Sequence, residues 1–192
     1  MVNLDLVLQS DANLRSTTLD QISLLAGATS DLGLAMLTEY TKQSTRPKIY
    51  IVERDPGKFQ ASLGTERKLI QKAPTHHVGL LSIQQYNEDG REETISLRFY
   101  VRARTIQHLL PLLSSPPSSR IVSIHGAGKE GRLNEEDLEL KHTFSMQNAA
   151  MHTSTMNTLA LREIASTYSS ISCVHVFPGL AVTPGFHTFS ED

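Results

Sequence analysis

The sequence predicts an α/β chain built on a doubly wound parallel sheet of about five main strands, with helices on both faces. Short, continuously apolar runs alternate with segments of more than ten residues whose apolar positions recur near every 3.6 residues. The runs "QISLLAGA" and "RIVSIHGAG" end in glycine turns. Strands apolar on both faces must be covered on both, as in parallel sheets crossed by helices. At 192 residues the chain can bury roughly 70% of its unfolded surface as one domain. No repeat or low-complexity segment interrupts it, and in such sheets ligands sit at the carboxyl ends of the strands.

Residues 1–20 are mixed in character and read as an N-terminal arm or short helix. "QISLLAGA" (21–28) is the first strand and its turn, and "DLGLAMLTEYTKQ" (31–43) the helix that follows. "RPKIYIVERD" (46–55), announced by Pro47 and rich in β-branched and aromatic residues, is a second strand. A helix over 57–72 has Gly64 as its weak point, and "HHVGLLSIQ" (76–84) is a third strand. "TISLRFYVRARTIQHLLPLL" (94–113) is a long amphipathic helix that stops before the loop "SSPPSS". The strand and turn "RIVSIHGAG" (120–128) lead to a last long helix over 143–168. That helix feeds the strand "ISCVHVF" (171–177) and the turn "PGLAVTPG".

The formal charge of −2 gives no electrostatic reason to expect nucleic acid or an anionic membrane as partner. The single cysteine, Cys173, lies in an apolar run and excludes an intrachain disulfide framework. No segment reaches the length of a membrane span, and the N-terminus lacks the positive charge and long apolar run of a signal peptide. These features read as a soluble, cytoplasmic protein whose partners are small molecules or proteins.

Four landmarks stand in order: Gly27-Ala-Thr-Ser-Asp-Leu-Gly33, "RIVSI" before a glycine turn, the helix with "NAAMHTSTMNTLALREIA", and "FPGLAVTP". Together, from Val2 to Pro184, they resemble the short-chain dehydrogenase/reductase family, closest to fungal members of secondary metabolism. The resemblance implies a Rossmann-like fold and hydride transfer between a nicotinamide cofactor and a carbonyl or alcohol. The family uses a Ser, a Tyr that gives its proton to the carbonyl oxygen, and a Lys one turn later that lowers the Tyr pKa.

Mapped by that resemblance, the Tyr position is Phe144, the Lys position Asn148, and the Ser position Gly126, or His125 in a register one residue earlier. None of Phe, Asn and Gly supplies the required proton, charge or hydroxyl. Shifting the register to Ser145 places Ala149 where the lysine belongs. In the phosphate turn the middle glycine is replaced by Asp31. A carboxylate about 5 Å from a phosphate at an effective dielectric near 20 costs roughly 3 kcal/mol per facing charge. Asp31 reads instead as a cap on its helix. Gly27, Ser30, Asp31, Gly33 and Arg54 are therefore a vestigial cofactor site. Arg54 stands where NADP-preferring members place a base, but Glu53 beside it adds negative charge.

The sequence is also short for the family. By that resemblance the substrate lid that follows "PGLAVTPGF" in family members is expected to be missing, and the reduced sheet is expected in the family order 2-1-4-5-6. Helices 94–113 and 143–168 are those through which family members form homodimers.

The candidate catalytic residues are His125, Asn148 and His152. His125 ends the fourth strand and titrates near working pH. Phe144, Asn148 and His152 are spaced four apart and share a helix face. Asn148 and His125 would bind a polar substrate and move a proton. The competing reading is a turn-capping His125 and a core or interface His152. His76 and His77 point to opposite faces of a strand and make a poor metal pair, so no metal is expected. "GKEGRLNEEDLELK" (128–141) reads as a solvated loop, with Lys129, Glu130 or Arg132 able to line a site.

Three functions remain open. The favoured one is a cofactor-independent, non-redox enzyme of isomerase, cyclase or dehydratase type acting on a hydrophobic natural-product intermediate. The others are a catalytically inactive binding or assembly partner and an NADP(H)-dependent carbonyl reductase.

Overall fold

The computed structural model describes residues 3–16, 21–44, 47–53, 75–79 and 93–179. The chain forms two compact units, residues 1–80 with 181–192 and residues 81–180. The predicted helix over 57–72, the end of the third predicted strand at 80–84, and the turn after Gly179 lie outside the described residues.

In the first unit, α1 (Leu4–Ser16) is followed by β1 (Ile22–Ala26), α2 (Asp31–Gln43), β2 (Lys48–Glu53) and β3 (Thr75–Gly79). The N-terminal arm is therefore helical over 13 residues. The strands are parallel in the order β1-β2-β3, with Leu25 opposite Ile51 and Ile51 opposite His77. A helix between β1 and β2 is what a parallel pair requires. It brings fully buried Leu37 onto Ile49 and Ile51, with Ala28, Leu25, Leu34 and Tyr40 closing the core.

The expected strand order is corrected by β3, which pairs outside β2 rather than beside β1. A right-handed crossover can carry the chain onward or back across the sheet by placing its helix on one face or the other. Apolar periodicity records that a strand is buried but not the direction of that step.

The second unit holds the parallel pair β4 (Ser119–Ile124) and β5 (Ile171–Val176) with two long helices. α3 (Val101–Leu113) is entered through one helical turn, Glu93–Ile95, and a π segment, Ser96–Tyr100. α4 spans Met146–Thr167. Ile121, Leu161 and Ile171 form the core with Ile106, Leu110, Leu113, Ile164, Tyr168 and Cys173. Burial pushes the Cys173 thiol pKa up, which keeps it protonated and unreactive.

α4 begins three residues later than 143, because Ser145 is its N-cap and its hydroxyl accepts the Asn148 N–H at 3.1 Å. Thr143 and Phe144 thus precede the helix. The stretch expected as a solvated loop is built around buried Asp137. Its carboxylate accepts the N–H groups of Lys141, His142 and Thr143 at 2.7, 3.0 and 3.0 Å and the Thr143 hydroxyl at 2.9 Å. Leu140, buried against Ile95 and Ala149, is held there with φ +51°. No helix among the described residues is long and apolar enough to cross a membrane.

Candidate functional site

The turn between β1 and α2 is built on two left-handed residues and a tightly packed glycine. Gly27 has φ +73° and Asp31 φ +49°. Asp31 occupies left-handed space that side chains other than Asn and Asp rarely tolerate. A Cβ on Gly33 would lie 2.0 Å from the Gly27 carbonyl oxygen and 2.9 Å from the Ala28 Cα. Only glycine lets α2 approach the strand end that closely. Extended Ser30 is the N-cap and makes no side-chain cap bond. The first intrahelical bond runs from Leu34 N–H to Ser30 O at 3.0 Å, so the N–H groups before it are the free donors of a helix N-terminus.

Asp31 was expected as a cap on α2. It lies in the first turn, where the helix dipole favours it, but its exposed carboxylate makes no hydrogen bond among the described residues. The left-handed backbone that the turn demands takes Asp31 out of the extended conformation of a capping residue. Arg54 lies outside the described residues.

In the second unit, His125 follows β4 and donates its backbone N–H to Val176 O at 2.8 Å. Its Nε2 meets Thr153 Oγ1 of α4 at 2.9 Å, and Thr153 Oγ1 lies 2.6 Å from Ala149 O. A carbonyl only accepts, so the single hydroxyl proton goes to Ala149 and the threonine accepts from the imidazole. His125 is thereby the Nε2–H tautomer, with its lone pair on Nδ1. Burial, then the positive charges of Arg102 and Arg98, then His175, push its pKa down to about 4. The ring is neutral at physiological pH.

His175 on β5 mirrors it. Its Nδ1 lies 2.8 Å from Thr158 Oγ1, which donates to Glu130 Oε1 at 2.7 Å. The same proton count fixes His175 as the Nδ1–H tautomer. Its Nε2 is buried and without a hydrogen-bond partner among the described residues, as is Ser123 Oγ, and Ser123 pairs with His175 in the strand register. The two imidazoles are stacked, with centroids 6.3 Å apart and planes at 23°. Burial lowers the His175 pKa against the upward pull of Glu130, and Arg102 adds to the lowering. The Thr158 hydrogen bond, foremost, holds the Glu130 carboxyl below its ordinary range.

Arg102 on α3 donates from Nη1 to Ile124 O at 3.1 Å, beside His125. Burial, and then Arg98, lowers its pKa. Gly126 packs closely on α4: a Cβ there would lie 2.1 Å from Ser154 Oγ, which donates to Ala150 O at 2.7 Å and would have to turn away.

Asn148 and His125 are not joined by any contact. The Asn148 amide donates to Thr143 O at 2.9 Å in the first turn of α4, and exposed Phe144 lies before that turn. Buried His152 bonds through Nε2 to Leu138 O at 3.0 Å, which ties α4 to the Asp137 loop. His76 and His77 are adjacent on β3. Among the described residues no group of three or more His, Cys, Asp or Glu side chains is placed to hold a metal ion.

Sequence reasoning missed His175, Thr153, Thr158 and Arg102. A usable signal was present in the strands. "RIVSIH" and "ISCVHV" each carry a polar residue at alternate positions that share a face with buried Ile121 and Ile171.

No protein-family model matches the chain. It is 32% identical to an oxidoreductase of Emericella nidulans over 95% of this chain and 65% of that one. It is 30% identical to the NmrA-like family domain-containing oxidoreductase notO of an Aspergillus species, over 96% of this chain and 67% of the relative. The chain thus spans about two thirds of the length of these curated relatives. A short-chain dehydrogenase/reductase of Stachybotrys chartarum is 27% identical over 80% of this chain and 43% of its own. Among solved structures, an NADPH-bound short-chain oxidoreductase from Pseudomonas aeruginosa containing an atypical catalytic center matches with a TM-score of 0.64 at 14% identity. That match covers 90% of this chain and 77% of the other. By sequence the chain belongs with these fungal oxidoreductases of the short-chain dehydrogenase/reductase family, and its fold is that of the solved short-chain dehydrogenases.

Proposed function

We propose that this member of the family carries out acid–base chemistry without hydride transfer, as an isomerase, cyclase or dehydratase acting on a small hydrophobic molecule. The carrying observation is His125, a half-buried neutral imidazole whose Nε2–H is committed to Thr153 and whose Nδ1 lone pair is left as a base. Glu130, Thr158 and His175 stand behind it as a hydrogen-bonded row. The positions that would supply a redox proton and a charge hold exposed Phe144 and an Asn148 tied to Thr143. Asn148 retains its carbonyl oxygen as a substrate acceptor, and His152 positions the start of α4.

A second reading, an NADP(H)-dependent reductase, is favoured by the phosphate turn. Its backbone fits a dinucleotide, with Gly27, Ser30 and Gly33 in place to hold the pyrophosphate against the N-terminus of α2. The exposed Asp31 carboxylate opposes that charge. A bound nicotinamide would supply the hydride. The relatives' naming as oxidoreductases supports this reading too.

An assembly role is supported by the apolar groove between α3 and α4, lined by Phe99, Ala103, Ile106, Leu110, Ala160 and Ile164. A homodimer through these helices would cover it.

Calorimetric titration with NADPH and NADH separates the chemical readings. Absence of heat up to millimolar cofactor supports the cofactor-free enzyme. Micromolar binding, with hydride transfer from deuterium-labelled NADPH, overturns it in favour of the reductase.

A further inference from the structure

A guanidinium withdrawn from water needs a counter-charge, and Arg102 has none among the described residues. It is partly buried and gives one N–H to the Ile124 carbonyl at 3.1 Å. A guanidinium carries five N–H donors in a planar fork. The ion pairs among the described residues join Lys42 to Glu39, Lys141 to Glu139 and, at 3.8 Å, His175 to Glu130. None reaches Arg102 or Arg98.

Arg98, on the π segment one turn before Arg102, adds a second positive charge that acts on both Arg102 and His125. The charged and titratable groups acting on His125 are Arg98 from the π segment, Arg102 from α3 and His175 from β5. Glu130, the nearby carboxylate, faces His175 and is held by Thr158. Two cations and a neutral imidazole thus share one end of β4, with no acid paired to either cation among the described residues. A π segment is itself a local departure from helix geometry that recurs at functional sites.

We propose that Arg102, Arg98 and His125 form a binding site for an oxyanion, a carboxylate or phosphate carried by the molecule on which His125 acts. The chemical part rests on the acid–base reading above; the binding part does not. In the reaction this fits, the C–H bond α to a carbonyl or carboxylate breaks and its proton passes to His125 Nδ1. The electron pair moves onto the substrate oxygen, where Arg102 stabilises the enolate. The imidazolium then returns the proton to another carbon of the same molecule. Atoms and charge balance without a further reactant. The anion also makes the site self-activating, because its charge beside the ring raises the affinity of His125 for the proton it must take.

The test is ring-nitrogen NMR of the full chain titrated separately with benzoate, inorganic phosphate and NADPH. Saturable movement of the His125 resonances is expected with benzoate or phosphate. The His125 titration midpoint should rise from about 4 toward the ordinary value near 6.5. Arg102→Lys, which keeps the charge and loses the fork, should weaken binding at least tenfold, and Arg102→Gln should abolish it, with folding verified by circular dichroism.

A response to benzoate assigns a carboxylate ligand. A response to phosphate and NADPH alone assigns a phosphate group. No saturable shift with any probe up to about 50 mM, or binding that survives in a folded Arg102→Gln, overturns the site. Hydride transfer from NADPH would instead overturn the acid–base reading and leave the anion site standing.

Discussion

Thr153 holds His125 in a single tautomer: its hydroxyl gives its one proton to the Ala149 carbonyl at 2.6 Å and therefore accepts the His125 Nε2–H at 2.9 Å. A base aimed by a helix in this way requires no metal or charge partner to orient it. Replacing Thr153 by Val should release the ring. Nitrogen NMR of His125 should then show both neutral tautomers where the parent shows one.

The pH dependence follows from the depressed His125 pKa. In the unfolded chain the ring titrates near 6.5, and in the fold near 4. Between those values the unfolded state binds the extra proton, so stability rises with pH across the window and is lost as pH falls through it. The melting temperature should decline from pH 6.5 to 4, and less steeply in His125→Gln. His175, also depressed, adds in the same sense. Thermal melts across that range provide the check.

If the turn binds NADPH, Asp31→Gly should raise that affinity by about tenfold to a hundredfold, since it removes a carboxylate that would face the phosphates with solvent screening it in part. It should also relax the backbone, because φ +49° suits glycine without strain. Asp31→Ala removes the same charge but strains the turn, so its melting temperature should fall. Calorimetry and melts on the pair separate charge from conformation.

Gly126→Ser would restore the hydroxyl that the family places after this strand, and it should destabilise the protein. The new Cβ would stand 2.1 Å from Ser154 Oγ and push that hydroxyl out of its bond to Ala150. Overpacking of this kind costs about 1–3 kcal/mol. Urea denaturation measures it, and paired Gly126→Ser with Ser154→Ala should recover most of the loss.

Thr158→Val should remove the hydroxyl that bridges His175 to Glu130 and leave only their 3.8 Å electrostatic contact. The Glu130 carboxyl, held low first by the Thr158 bond, should return toward its ordinary range, and His175 should no longer be confined to the Nδ1–H form. Carboxyl and imidazole NMR titrations read both changes.

Helix α2 was legible from its sequence down to its ends, because apolar spacing, a glycine turn before it and Leu37 at its centre all carry the same message. The strands β1, β2, β4 and β5 were visible as apolar runs for the same reason. The outward placement of β3 was not, since burial of a strand says nothing about which neighbour it takes. The start of α4 was read early because Phe144 continues the apolar spacing, while the Ser145 N-cap starts the helix only after it. At the site, His125 was visible by its position after a strand. Its partners were hidden because Thr153, Thr158 and His175 become neighbours only when β5 pairs with β4 under α4. Arg102, four residues after Arg98 on an amphipathic stretch, resembles any solvated helix face until its burial is known.

The parallel pairing of β4 with β5 also sets the order in which this unit must assemble. Ser119 cannot meet Ile171 until the intervening chain has closed on itself, an entropic cost incurred before any ladder bond forms. Helix α4 needs only local contacts and can form early. Refolding should therefore be slow relative to helix formation, with a transition state in which α4 already packs on Ile121 while β5 is still arriving. In the cell the half-made unit exposes an unpaired strand edge until its last residues leave the ribosome.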